Sequence, residues 1–155
     1  MEMQSSYYDL IQIIERLHRR FLDVLKGELD RQNIQDINNV QSMLLFNLGT
    51  DEMTVGELTL RGYYLGSNVS YNVKKMVENG YLEQKRSIHD KRSVRVKLSE
   101  KGQELCTCIK EMFDRHEEEV KKTDLTEDMI LDGLDALKLL ERFWAAQAQF
   151  SGLDF

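Results

Sequence analysis

Proline is absent from all 155 residues, where average usage of about 5% would supply about eight. No helix interior is broken by a ring lacking an N–H, and with only 9 glycines the chain is expected to be mainly helical. Cysteine is scarce too: Cys106 and Cys108 make no disulfide framework, so a reducing compartment is expected. Long apolar runs are missing. No uninterrupted one exceeds the four residues of Met43-Leu44-Leu45-Phe46, and the first apolar stretch is cut by Asp9, Glu15, Arg16, Arg19 and Arg20. That argues against a cleavable signal core or a membrane span, and the reading is a cytoplasmic chain with no membrane partner.

Patterns that carry chemistry are missing as well. His18, His89 and His116 stand far apart, without metal-ligand spacing. There is no Gly-x-Ser-x-Gly elbow, no phosphate-cradling loop and no dinucleotide fingerprint. The expectation is no enzyme, no cofactor and no metal. What is there is 41% hydrophobic and 31% charged, enough for one compact domain or two closely joined ones.

The formal net charge of −6 on its own argues against nucleic acid. Divided along the chain, it argues the other way. Residues 61–102 hold ten Lys and Arg against four acids, a local +6, while the remainder carries −12. Such asymmetry marks an interaction surface, and the acidic remainder would turn every other face away from DNA.

Apolar residues at helical spacing from Leu10 through Ile13, Ile14, Leu17, Phe21, Val24 and Leu25 to Leu29 predict a long helix capped at Ser5 or Ser6. Its stripe exceeds what a small core needs, so part of it is expected to face a partner helix. A second helix, from about Ile37 to Leu48, stops at Gly49, with Val40, Met43, Leu44 and Leu48 as its buried face. Thr54-Val55-Gly56-Glu57 is a capping box opening a short helix to about Arg61. Ser67 then caps a helix to about Asn79, with Val69, Val73, Met76 and Val77 inside. The period next becomes two. Tyr81–Ser87 and Ser93–Leu98 read as strands around a polar, basic turn, with Val94, Val96 and Leu98 inward and Arg95 and Lys97 outward. Ser99 caps a helix bearing Leu105, Ile109, Met112, Phe113 and Val120. Thr126 starts the last one, bearing Ile130, Leu134, Leu137, Leu140, Phe143 and Trp144.

A short helix, a turn, a second helix and a basic hairpin make a helix-turn-helix with a two-stranded wing. The outer face of the second helix is expected to be Asn68, Ser70, Tyr71, Asn72, Lys74, Lys75 and Glu78. Its small polar and amide groups suit base edges in the major groove, Asn72 pairing bidentately with adenine. Ser67 at the helix start, with Lys74, Lys75, Lys85, Arg86 and Arg95, suits phosphates. Arg92, oriented by Asp90, suits a narrow minor groove.

Residues 54–102 resemble the winged helix of the MarR family of bacterial transcriptional regulators. The resemblance rests on Thr54-Val55-Gly56-Glu57-Leu58, on Ser67-Asn68-Val69-Ser70 through Val77-Glu78-Asn79-Gly80-Tyr81-Leu82, and on Asp90-Lys91-Arg92 followed by Val96-Lys97-Leu98-Ser99-Glu100-Lys101-Gly102. Flanking helices match as well, so it covers nearly the whole chain. Gly62-Tyr63-Tyr64-Leu65-Gly66 is bulkier than the family's usual connection and is similar to a subgroup tied to L,D-transpeptidase (cell-wall) genes. The family implies a homodimer of interlocked N- and C-terminal helices, residues 1–35 and 103–155. Residues 36–102 would be the DNA-binding domain, docking on double-stranded DNA at a pseudo-palindromic operator. It also implies a small aromatic effector, phenolic or anionic, between the dimer helices and the winged helix. Candidates for that cavity are His18, Phe21, Met43, Phe46 and Ile109, with Arg16, Arg19 or Arg20 for a carboxylate; each apolar member reads equally as plain core.

Two other functions fit the same residues. The winged helix could bind a protein instead of DNA. The thiols could sense oxidants, which requires an accessible, low-pKa cysteine. Cys106 and Cys108 lie two apart on a helix, about 200° around it, so they cannot chelate one metal together, and small buried fillers is the plainer reading.

Overall fold

The computed structural model describes residues 3–62, 66–86, 88–89 and 93–151. Among them six helices and three strands run α1 (Met3–Arg31), α2 (Asn39–Leu48), β1 (Met53–Thr54), α3 (Val55–Gly62), α4 (Gly66–Glu78), β2 (Leu82–Arg86), β3 (Val94–Leu98), α5 (Glu100–Val120) and α6 (Glu127–Ser151). The expected mainly helical winged helix is the observed fold. The chain divides into two compact units, residues 1–112 and 113–155.

In the first unit a single core gathers Leu25 and Leu29 of α1, Leu44, Leu45 and Leu48 of α2, Leu58 of α3 and Val69, Val73 and Met76 of α4. Val96 of β3 and Leu105, Ile109 and Met112 of α5 belong to it too, as do Ile37, Met53, Tyr81, Leu82 and Leu98. The sheet order is β1-β3-β2, all antiparallel, with Met53 opposite Val96 and Glu83 opposite Lys97. The second unit holds the end of α5 and all of α6. Thr126 caps α6 through the Met129 amide at 3.2 Å, and acids Glu127 and Asp128 in its first turn suit the helix dipole. Ile130, Leu131, Leu134, Leu137, Phe143 and Trp144 on α6 are exposed in the single chain. No described helix is long and apolar enough to cross a membrane.

The structure corrects several expectations. Helix α1 begins at Met3, so Ser5 and Ser6 lie within it and not at its start. Helix α2 begins at Asn39, not Ile37, because Asn38 and Gln41 form the capping box that starts it. That box draws Gln41 and Ser42 into the buried face with Leu44, Leu45 and Leu48, leaving Val40 exposed and Met43 half-buried. Helix α4 starts one residue before Ser67. The wing's two strands gain a third, β1, on the free edge of β3.

The other stops stand where the residues place them. Gly49 ends α2 at φ 60° and Gly80 follows α4 at φ 80°, positive-φ conformations that cost a side chain about 1–3 kcal/mol.

Candidate nucleic-acid interface

The Thr54 box forms as expected. The Glu57 amide donates to Thr54 Oγ1 at 3.1 Å, and the Thr54 amide donates to Glu57 Oε2 at 2.9 Å. This sets α3, against which α4 packs, with Val69, Val73 and Met76 of α4 buried. The opposite face of α4 is open: Asn68, Ser70, Tyr71 and Lys74 are exposed. Lys75 is half-buried, 3.5 Å from Glu78 and 6.0 Å from the Tyr71 ring centre. Asn72, expected with the outer face, is half-buried on the flank toward α2, where its Oδ1 accepts from Gln41 Nε2 at 3.1 Å. The Ser67 side chain, Asp90, Lys91, Arg92 and Tyr63–Leu65 lie outside the described residues.

The basic segment is less uniform than its charge. Lys97 pairs across the sheet with Glu83 at 3.6 Å, Arg61 with Asp51 at 2.7 Å, and Lys101 with Asp36. Arg95 is drawn inward: it donates to the Glu52 carbonyl at 2.9 Å and stands 3.6 Å from the Glu52 and 3.9 Å from the Glu57 carboxylates. Its charge fastens the wing to the start of α3. Lys74, Lys85 and Arg86 are exposed and have no ion-pair partner among the described residues, so their full charge is available to phosphate.

Residues that escaped the sequence reading hold this surface in place. Asp36, in the α1–α2 connection, accepts from Tyr81 Oη and from Lys101 Nζ, while its carbonyl accepts from Asn79 Nδ2 at 2.8 Å. Lys101 also donates to the Asn79 carbonyl and lies 4.3 Å over the Tyr81 ring. One knot thus joins the end of α4, the root of β2 and the start of α5. Burial alone would raise the Asp36 carboxyl, but the Lys101 ammonium and the Tyr81 hydroxyl outweigh it and hold the carboxyl below its ordinary value. Burial, then Asp36, pushes the Tyr81 phenol up. Ser99 caps α5 through the Gly102 amide at 3.1 Å and also donates to the Gly80 carbonyl.

The effector candidates are scattered. Arg16, His18 and Arg20 are exposed on α1, Arg19 pairs with Glu15 at 3.0 Å, Phe21 and Met43 are half-buried and Ile109 is core. A cavity of about 580 Å³ lies instead among α2, β3 and α5, walled by Phe46, Gly49, Thr50, Lys97, Leu98, Gln103, Cys106, Thr107 and Lys110. Phe46 is the one candidate on it. Cys106 and Cys108 are free thiols, both half-buried, and burial pushes the Cys106 thiol up to about 11, the wrong direction for a reactive thiolate.

Fold and surface together define a winged-helix DNA-binding protein. The winged helix DNA-binding domain family matches residues 37–102. The exopolysaccharide II synthesis transcriptional activator ExpG of Rhizobium meliloti (strain 1021) is 35% identical over 145 residues, covering 94% of this chain and 75% of that one. Among solved structures, Streptococcus pneumoniae FabT in complex with DNA matches at a TM-score of 0.75 and 18% identity, over 91% of this chain and 99% of that one. Staphylococcus aureus MarR in complex with salicylate and kanamycin matches at 0.74 and 19%, over 94% and 95%. The chain belongs to the family of winged-helix, DNA-binding transcriptional regulators that its ExpG relative represents, which are not enzymes, and its fold is that of the MarR-type structures.

Proposed function

We propose that the chain is a homodimeric, sequence-specific regulator that grips a pseudo-palindromic operator in double-stranded DNA. The observation that carries this reading is the two-faced α4: Val69, Val73 and Met76 buried, Asn68, Ser70, Tyr71 and Lys74 exposed. Residues 36–102 are the DNA-binding domain in this reading, with α4 in the major groove and the β2–β3 wing beside the minor groove. Asn68, Ser70 and Tyr71 read base edges, Lys74, Lys85 and Arg86 neutralise phosphates, and Arg92 with Asp90 reaches the minor groove. Dimerisation through residues 1–35 and 103–155 is supported by the apolar residues a single chain leaves exposed, Leu10, Ile13, Leu17 and Val24 on α1 and Leu134, Leu137 and Phe143 on α6. A chain that regulates bacterial genes works in the cytoplasm, beside the chromosome.

A small aromatic anion is the proposed effector. Its support is the cavity beside Phe46, with Lys97 and Lys110 on its wall, together with the salicylate held by the staphylococcal MarR structure. The experiment that tests the main reading is fluorescence anisotropy with the DNA upstream of the protein's own gene, beside an unrelated duplex, over a range of salt. Three unpaired cations from each protomer give six phosphates, and log K should fall with log salt at a slope of about −5. Weak and equal binding to both duplexes, with a genome-wide DNA pull-down returning no preferred site, would sink the reading.

A further inference from the structure

The amide of Asn72 has its ends assigned by a second amide behind it. In the cap of α2 the Gln41 N–H donates to Asn38 Oδ1 at 2.8 Å, and the Asn38 N–H donates to Gln41 Oε1 at 3.2 Å. A backbone N–H only donates, so the bonded end of the Gln41 side chain is its oxygen. Its Nε2 is therefore the end that reaches α4, where it donates to Asn72 Oδ1 at 3.1 Å. Gln41 is buried, 8% exposed, and cannot swing into water without breaking both side-chain bonds. The Asn72 oxygen faces α2, so its amino group faces away. That amino group has no partner among the described residues, and none of their unpartnered side-chain polar atoms is buried. On the half-buried flank of α4 it is therefore not sealed from solvent.

We infer that Asn72 is a specificity-determining residue presented amino end outward, and that Gln41 is the positioning residue that keeps it so. The inference rests on the reading of α4 as the major-groove helix. An asparagine that reads adenine bidentately uses both ends of its amide, donating to N7 and accepting from N6. With the oxygen turned to Gln41, Asn72 offers donors alone. Donors fit the O6 and N7 acceptors that guanine sets side by side, and they reject cytosine, whose groove edge is the N4 donor.

The substitution Gln41→Glu tests this. A glutamate at the third helical position still accepts the Asn38 N–H and suits the helix N-terminus, so the cap survives. It has no N–H to give. Asn72 must then turn its amino group toward α2 and present its oxygen to the groove. Asn72→Asp leaves Gln41 untouched and presents an oxygen by a second route. Sites for wild type, both variants and Asn72→Ala are selected from randomised duplexes, then measured by anisotropy on single base-pair variants at one salt concentration. Circular dichroism melting checks that each protein is folded.

At one position per half-site, wild type should prefer guanine to cytosine by about fivefold, the low end for base discrimination. Asn72→Ala should be indifferent there. Whichever of Gln41→Glu and Asn72→Asp is folded should invert the preference toward cytosine or adenine, other positions holding. Folded variants that keep the wild-type profile overturn the inference and leave DNA binding standing. So does a wild type whose profile Asn72→Ala alone changes. A wild type that selects no sequence fails one step earlier, and the proposed function falls with it.

Discussion

Gly102 is where the fold of the wing should be easiest to damage. A Cβ added there would stand 2.3 Å from the Tyr81 carbonyl oxygen and 3.2 Å from Leu98 Cδ2. Even weak C–H···O contacts sit near 3.3 Å or beyond, so about 1 Å must be found. The obstacle is backbone, and it is held: the same Tyr81 oxygen accepts the Ser99 N–H at 3.0 Å. Moving it about 1 Å takes that bond past hydrogen-bonding length, a loss of about 1 kcal/mol. Displacing packed backbone beside Leu98 and Tyr81 adds about 1–3 kcal/mol. Alanine returns about 0.5–1 kcal/mol in a helix. Gly102→Ala should therefore destabilise the protein by about 2 kcal/mol, lowering Tm by about 4–8 °C. Gly27, in α1, meets nothing within 4 Å, and Gly27→Ala should stabilise by about 0.5–1 kcal/mol. Urea unfolding at one protomer concentration measures both. A Gly102→Ala midpoint at or above wild type, with an unchanged slope, would show that the close approach to Tyr81 carries no weight.

Further outcomes follow from the ion pairs and the thiol. Because the Asp36 carboxyl sits below its ordinary value, its stabilisation is complete above the unfolded value of about 3.9 and is lost as pH falls through the folded one. The Tm gap between wild type and Asp36→Asn should thus be wide at neutral pH and close below about pH 4; a gap independent of pH would refute the Asp36–Lys101 assignment. Lys85→Ala should weaken binding to all duplexes and cut the salt slope by about 1 for each protomer engaged. Arg95→Gln, whose charge is already spent on Glu52 and Glu57, should weaken binding with little change of slope. Equal slopes for the two variants would contradict that division of labour. With its thiol pushed up to about 11, Cys106 should resist iodoacetamide at neutral pH and react faster by roughly tenfold per pH unit toward pH 10, read by mass spectrometry. Rapid alkylation of Cys106 at pH 7 would revive oxidant sensing.

What the sequence disclosed is what neighbours along the chain decide. Thr54 and Glu57 lie three apart, as do Ser99 and Gly102, and the inner face of α4 repeats with the helix; each is a local pattern with one sensible geometry. The glycine stops at 49 and 80 belong to the same class. What it hid depends on pairs far apart. Residues Met53 and Thr54 become a strand only because β3 brings Val96 and Arg95 beside them, and no two-residue pattern announces that.

The same distinction runs through the interface. Counting bases placed +6 on residues 61–102, but the fold sets Glu83 opposite Lys97 and Glu52 and Glu57 against Arg95, leaving Lys74, Lys85 and Arg86 as the described cations with no partner. Helical spacing put Asn72 with the outer residues, yet Gln41, 31 positions earlier in the chain, turns it to the flank. Gly102 shows the boundary between the two kinds of knowledge. The resemblance marks it as part of a motif, while the reason only glycine fits lies in a carbonyl 21 residues upstream. Charge and period therefore point to the surface proposed to read DNA, and a long-range hydrogen bond decides which end of Asn72 it presents.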